Sequence, residues 1–138
     1  MITIRQEPLT DAYKKQILEG FSRHAILKTG IDGKQELTAF LAFDQDKMVG
    51  AVVVENFWGA LHIKYVYVED SYRGKNIGSS LMEKAFSFAK EQNCSFAFVE
   101  TMNFQAPLFY EKLGFVIEFT RTGYKNGTSF HYLRKGFI

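Results

Sequence analysis

The chain carries a single cysteine, Cys94, in 138 residues. It therefore cannot close an internal disulfide, and one thiol cannot build a zinc site by itself. A reducing cytoplasm and no bound metal are the expectations that follow. No run of about 18 apolar residues occurs, so no transmembrane helix is expected. The opening Met1-Ile2-Thr3-Ile4-Arg5 has neither a basic start nor an apolar core, so no signal peptide is expected. Seventeen Lys and Arg against 15 Asp and Glu leave a formal net charge of +2. That charge is too small, and too evenly spread, to argue for nucleic acid or an anionic membrane as partner. Internal repeats, linkers and low-complexity stretches are also missing, which leaves one domain spanning 1–138.

What is present is core-forming material: 46% apolar residues and 14 Phe argue for a packed interior over disorder. The stretch that organises the rest runs from Val66 to Met82. Val66 and Val68 end a strand, and Gly74 and Gly78 punctuate a turn. Ile77, Leu81, Ala85 and Ala89, widened by Met82 and Phe86, give a helical stripe to about Gln92. A turn that opens a helix leaves backbone N–H groups free for an anion, ideally a phosphate. Arg73 and Lys75 add positive charge there.

Two common phosphate loops do not fit. A nucleotide P-loop needs a lysine after its last glycine, and Gly78 is followed by Ser79-Ser80. The dinucleotide fingerprint G-x-G-x-x-G is absent. Arg73-Gly74-Lys75-Asn76-Ile77-Gly78 resembles instead the Q/R-x-x-G-x-G/A pyrophosphate loop of the GNAT superfamily of N-acetyltransferases. Asn76 stands where that pattern has its middle glycine, and Asn tolerates a left-handed backbone better than other side-chain-bearing residues. About thirty residues on, Phe109-Tyr110-Glu111-Lys112-Leu113-Gly114-Phe115 resembles the F-Y-x-x-x-G-F signature of the same superfamily. Phe104-Gln105-Ala106-Pro107 beside it is similar to a small bacterial-type subset.

Around these motifs the chain reads as a mixed α/β domain. Residues 2–6 alternate as a short strand. Thr10 caps a helix that Gly20 ends or bends, and 21–29 form a second short helix. Residues 37–44, 48–56 and 60–69 are strands joined by short gaps, hence an antiparallel meander. Continuous Val52-Val53-Val54 suggests burial on both faces. Residues 95–101 form a strand parallel to 60–69 across the helical crossover. A short helix from Pro107 stops at Gly114, and 115–121 and 129–134 are the last strands, turning at Lys125-Asn126-Gly127. The sum is a mostly antiparallel seven-strand sheet flanked by about four helices. Strand-forming Phe130–Leu133 near the end allows dimerisation through a terminal strand. Cys94, among apolar residues at a helix-to-strand junction, reads as a buried small hydrophobe.

The resemblance implies an acetyl-CoA-dependent N-acetyltransferase. Backbone groups of Arg73, Gly74, Lys75, Asn76, Ile77, Gly78 and Ser79 would take the pyrophosphate of acetyl-CoA. Val66 and Val68 would pair with its pantetheine arm at a bulged, splayed strand, with Val68 N–H a donor to the thioester carbonyl. Asn103 would contact the arm. Tyr110 sits where many relatives carry the acid that protonates the departing thiolate, close to the arm. Several relatives use a glutamate base on the strand holding His62, which makes His62 the base candidate, directly or through water. Glu55 and Glu100 compete, and some relatives need no base. Phe21, Arg23 and His24 lie in the region that forms the acceptor pocket in relatives. Phe57, Trp58, Phe104, Phe109 and Tyr110 would suit an acceptor with an apolar body. No activated nucleophile is evident, so direct attack by an unidentified, small-molecule amine in a ternary complex is the expectation. The alternative is a catalytically idle CoA-binding regulatory module.

Overall fold

The computed structural model describes residues 1–137. They fall into two compact units, Met1–Lys34 and a larger one beginning at Gln35.

In the first unit, residues 1–10 form neither helix nor strand, and helix α1 runs unbroken over Asp11–Thr29. Two expectations are corrected here. Alternation in residues 2–6 marks a chain able to pair, but it does not supply a neighbour, and these residues join no ladder. Gly20 lies inside α1. A mid-helix glycine costs about 1 kcal/mol against alanine yet keeps its N–H, so it weakens a helix without ending it. The ends of α1 are set locally. Thr10 accepts a hydrogen bond from the Tyr13 N–H at 3.2 Å. Gly30 takes the left-handed φ of 79° and donates its N–H to the Ile26 carbonyl.

The second unit is built on six strands: β1 (Thr38–Asp44), β2 (Lys47–Phe57), β3 (Ala60–Val68), β4 (Phe96–Met102), β5 (Val116–Arg121) and β6 (Phe130–Gly136). Their spatial order is β1-β2-β3-β4-β6-β5. Every neighbouring pair is antiparallel except β3–β4, which the crossover helix α2 (Ile77–Glu91) joins in parallel. Among the described residues there are thus six strands and three α-helices, one strand and one helix fewer than expected. Strand β6 lies inside the sheet, hydrogen-bonded on both edges. It has no edge to offer a second copy, so the terminal-strand route to a dimer is withdrawn.

The core follows from the alternation. Val52 and Val54 of β2, Leu61 and Ile63 of β3, and Ala97 and Val99 of β4 pack with Leu81, Met82, Ala85 and Ala89 of α2. Burying each large side chain is worth roughly 1.5–3 kcal/mol. Cys94 joins this cluster at 7% exposure. Along β2, residues 49–55 are buried or nearly so on both faces.

The decisive irregularity is in β3. Val53 pairs with Tyr65 but Val54 with Ile63, so Lys64 is an extra residue, a bulge. Leu61 and Ile63 face the α2 side before it; after it Val66 packs on the core while Tyr65 and Tyr67 are exposed. The parallel ladder to β4 holds only from Leu61–Ala97 to Ile63–Val99. Beyond that point β3 and β4 part.

Candidate active site

The gap between the parted strands is the floor of a cavity of about 890 Å³. Its walls come from both sides of the sheet: Val66, Val68 and Val99 from the core side, Lys64, Tyr65 and Glu100 from the other. Helix α3 (Pro107–Lys112) closes one flank with Phe109 and Tyr110.

The strand edge of β3 is open along this gap. The Glu69 N–H bonds the Val49 carbonyl of β2. Successive strand residues turn their peptide groups to opposite edges, so Val68, and Val66 two residues before it, turn theirs toward the gap. The Val68 carbonyl there accepts a long hydrogen bond from Arg73 Nε, at 3.5 Å.

At the cavity's other end stands the turn into α2. Gly74 has φ 78° and Asn76 φ 61°, both left-handed. Asn76 thus adopts the conformation that glycine would take most easily. The first backbone bond of α2 runs from the Ser80 N–H to the Asn76 carbonyl at 3.0 Å, and the Asn76 side chain makes no cap. The N–H groups of Ile77, Gly78 and Ser79 are left as first-turn donors at the positive end of a 15-residue helix. Arg73, Gly74, Asn76, Ile77, Gly78 and Ser79 all line the cavity. Lys75 does not; its ammonium stands 5.3 Å from the centre of the Tyr72 ring.

Tyr110 is 7% exposed and reaches the cavity wall. Burial pushes its hydroxyl up to about 12. Phe104 and Phe109 share the wall. Phe57 and Trp58 do not; they sit at the β2–β3 turn, with Phe57 edge-on to Phe98 at 6.0 Å. Asn103 is also outside, tying its loop to Ser129 through its backbone N–H and its side-chain oxygen. Phe21, Arg23 and His24 are on α1, in the first unit.

His62 is not on the cavity wall either. It lies on the face of β3 away from α2, its ring stacked on Phe98 with centroids 4.4 Å apart. Nδ1 is 3.1 Å from Glu55 Oε1 and Nε2 is 2.8 Å from Glu100 Oε2. Burial pulls the imidazole pKa down, but the hydrogen bonds to Glu100 and Glu55 outweigh it and leave it raised. The His62 bond holds the Glu100 carboxyl below its usual range against the opposing effect of burial. Of the three, Glu100 alone reaches the cavity. A lone carboxylate directly after the apolar run Phe96–Val99 was its signal in the sequence. Lys64 and Tyr65, brought to the wall by the bulge, had none.

Residues 4–115 match the family model described as the acetyltransferase (GNAT) family. The chain is 32% identical over 93 residues to the blasticidin-S acetyltransferase of Streptomyces morookaense, covering 67% of this chain and 68% of that one. A crystal structure of an Agrobacterium tumefaciens protein superposes with a TM-score of 0.88 over 99% of this chain and 100% of its own, at 22% identity, which speaks for the fold alone. A Bacillus anthracis protein assigned as a streptothricin acetyltransferase, solved in complex with acetyl coenzyme A, superposes with a TM-score of 0.68 at 26% identity, over 75% of this chain and 64% of its own.

Proposed function

The chain belongs to the acetyltransferase (GNAT) family and is an acetyl-CoA-dependent enzyme that transfers an acetyl group to an amine; we propose that its acceptor is a small molecule, attacked directly in a ternary complex. One observation carries the mechanism. The parting of β3 from β4 after Ile63 and Val99 puts an unpaired strand edge and a row of free helix N–H groups on one cavity.

These parts fit an acyl-CoA. The N–H groups of Ile77, Gly78 and Ser79, with Arg73 beside them, suit the pyrophosphate. The open edge at Val66 and Val68 suits a peptide-like arm. The thioester supplies the acetyl group and a thiolate leaving group. The Val68 N–H is the donor positioned to polarise a carbonyl laid along that edge.

The thiol of Cys94 is a poor nucleophile. It is buried at 7% exposure, its pKa is pushed up by that burial, and it is not on the cavity wall. A covalent acetyl-enzyme is therefore disfavoured and direct attack favoured.

Tyr110 serves as a hydrogen-bond donor. With its hydroxyl near 12, full transfer of its proton to a thiolate of pKa about 8.5 would be uphill by about 3.5 pH units, or ~5 kcal/mol. A donated hydrogen bond still stabilises charge as it develops on sulfur.

Two of the matched proteins are named for blasticidin S and streptothricin, which supports a small acceptor. The test is product formation from acetyl-CoA across a panel of small amines and of peptides with free N-termini or lysines. Turnover confined to small amines, with intersecting initial-velocity lines, is expected. Turnover of the peptides alone, or parallel lines, would overturn the reading.

A further inference from the structure

Glu55, His62 and Glu100 come from three adjacent strands and lie on one face of the sheet. Glu55 and His62 are cross-strand partners, Phe98 is the partner of His62 on the other side, and Glu100 is two residues beyond Phe98. The row runs from the cavity inward, with side chains 28%, 16% and 2% exposed for Glu100, His62 and Glu55. From this geometry we infer that Glu100 is the group that takes the acceptor's proton, and that it hands the proton to His62, whose ring Glu55 holds in the accepting tautomer. The inference rests on the acetyl-transfer reading above.

A neutral imidazole has one N–H and one lone pair. Both of its nitrogens here face carboxylate oxygens. One of the two contacts is a hydrogen bond in the neutral ring; the other sets a lone pair against an anionic oxygen unless a proton lies between them. Glu55 settles which. Its Oε2 is buried and finds no hydrogen-bond partner among the described residues. Oε1 is therefore the one oxygen of this buried carboxyl with a donor in reach, and without that donor both oxygens would be unpaired, so Glu55 Oε1 claims the Nδ1 proton. The vacant position is then Nε2, 2.8 Å from the oxygen of Glu100. Phe98, parallel to the ring within 3°, blocks rotation and favours the charged imidazolium by presenting its π face.

Acetylation of an ammonium acceptor removes two protons from nitrogen. As the C–N bond forms and the C–S bond breaks, one proton ends on sulfur. The other goes to the Glu100 carboxylate, which passes it from Oε2 to the vacant His62 Nε2, so that Glu100 ends ionised again and His62 ends as the imidazolium. The cluster returns it to water at the cavity mouth between turnovers. A carboxylate alone, held low in pKa, is a weak base toward an amine; coupling to an imidazole raised in pKa supplies the missing strength. The other groups facing this row are Lys64 from β3, which further favours ionised Glu100, and Tyr132 and Arg134 of β6, opposite Glu100 and Phe98 in register.

The test is the titration of the His62 ring by NMR in the wild type, Glu55→Gln and Glu100→Gln, with His62→Gln to assign the signal. His62 is expected to titrate above about 6.5 with its proton on Nδ1, and each variant to lower the midpoint by about one pH unit. With the panel amine that turns over, Glu55→Gln should move the acidic limb of kcat down by the same amount. Glu100→Gln should cut kcat about a hundredfold, and Glu100→Asp should restore part of it. A His62 midpoint at or below about 6.5, or one that Glu55→Gln leaves in place, would overturn the inference. If Glu55→Gln does not fold, Glu100→Gln makes the same distinction. Acetyl-CoA binding is measured alongside: its loss in the wild type would remove the acetyl-transfer reading while leaving the proton-sharing row intact.

Discussion

Phe109 lies so close over Gly78 that a methyl group on Gly78 would stand 3.2 Å from its ring. One contact therefore joins the turn into α2 to α3, the helix carrying Tyr110. Gly78→Ala should push Phe109 outward at a cost of about 1–3 kcal/mol, and raise the dissociation constant for acetyl-CoA. Denaturant unfolding and calorimetry check both. An unchanged midpoint with unchanged binding would mean α3 yields freely.

Asn76 is held at φ 61°, where side-chain-bearing residues pay roughly 1–2 kcal/mol, and Asn less. Asn76→Gly should be neutral to slightly stabilising and keep acetyl-CoA binding. Asn76→Val should lose about 1–2 kcal/mol, because a β-branched side chain crowds the left-handed backbone where the slimmer Asn is tolerated. Equal stability of the two variants in thermal unfolding would contradict the left-handed assignment.

Removing the Tyr110 hydroxyl should separate binding from turnover. Tyr110→Phe keeps the ring in the core beside Phe109 and Phe115, so acetyl-CoA affinity should hold. Losing a hydrogen bond to a developing charge, worth about 1.5–3 kcal/mol, should lower kcat roughly ten- to hundredfold. An unchanged kcat would leave Tyr110 as packing alone.

His62 binds its proton more tightly folded than unfolded, since its pKa is raised. The stabilisation is complete below the ordinary 6.5 and is lost as pH rises through the raised value. Glu100 is held low, so its share is complete above 4.5 and is lost as pH falls through the lowered value. The Tm advantage of the wild type over His62→Gln should therefore be largest between about pH 5 and 6.5 and shrink above it. An advantage that grows toward alkaline pH would contradict the charged assignment.

What the sequence made legible was local. The turn into α2, the helical stripe behind it, the stop at Gly114 and the hairpins of β1–β3 depend on residues a few positions apart. They stand close to where spacing put them. What stayed hidden depended on partners distant in the chain. Residues 2–6 alternate like a strand, but alternation does not say whether a neighbour exists. The bulge at Lys64 is a mismatch between two strands and leaves no mark on either alone. His62 looked like a base because histidine titrates near neutrality. Its place behind Glu100 arises from a partner 38 positions away, which only the β3–β4 pairing reveals.

The central claim is that the turn at residues 73–79 and the gap between β3 and β4 form one acetyl-CoA site. Calorimetric titration with acetyl-CoA tests it most directly, on the wild type and on an Arg73→Glu, Gly78→Glu variant shown to be folded by its circular dichroism. Binding in the micromolar range by the wild type, weakened at least a hundredfold in the folded variant, is the expected result. No binding by the wild type, or equal binding by both, would contradict it.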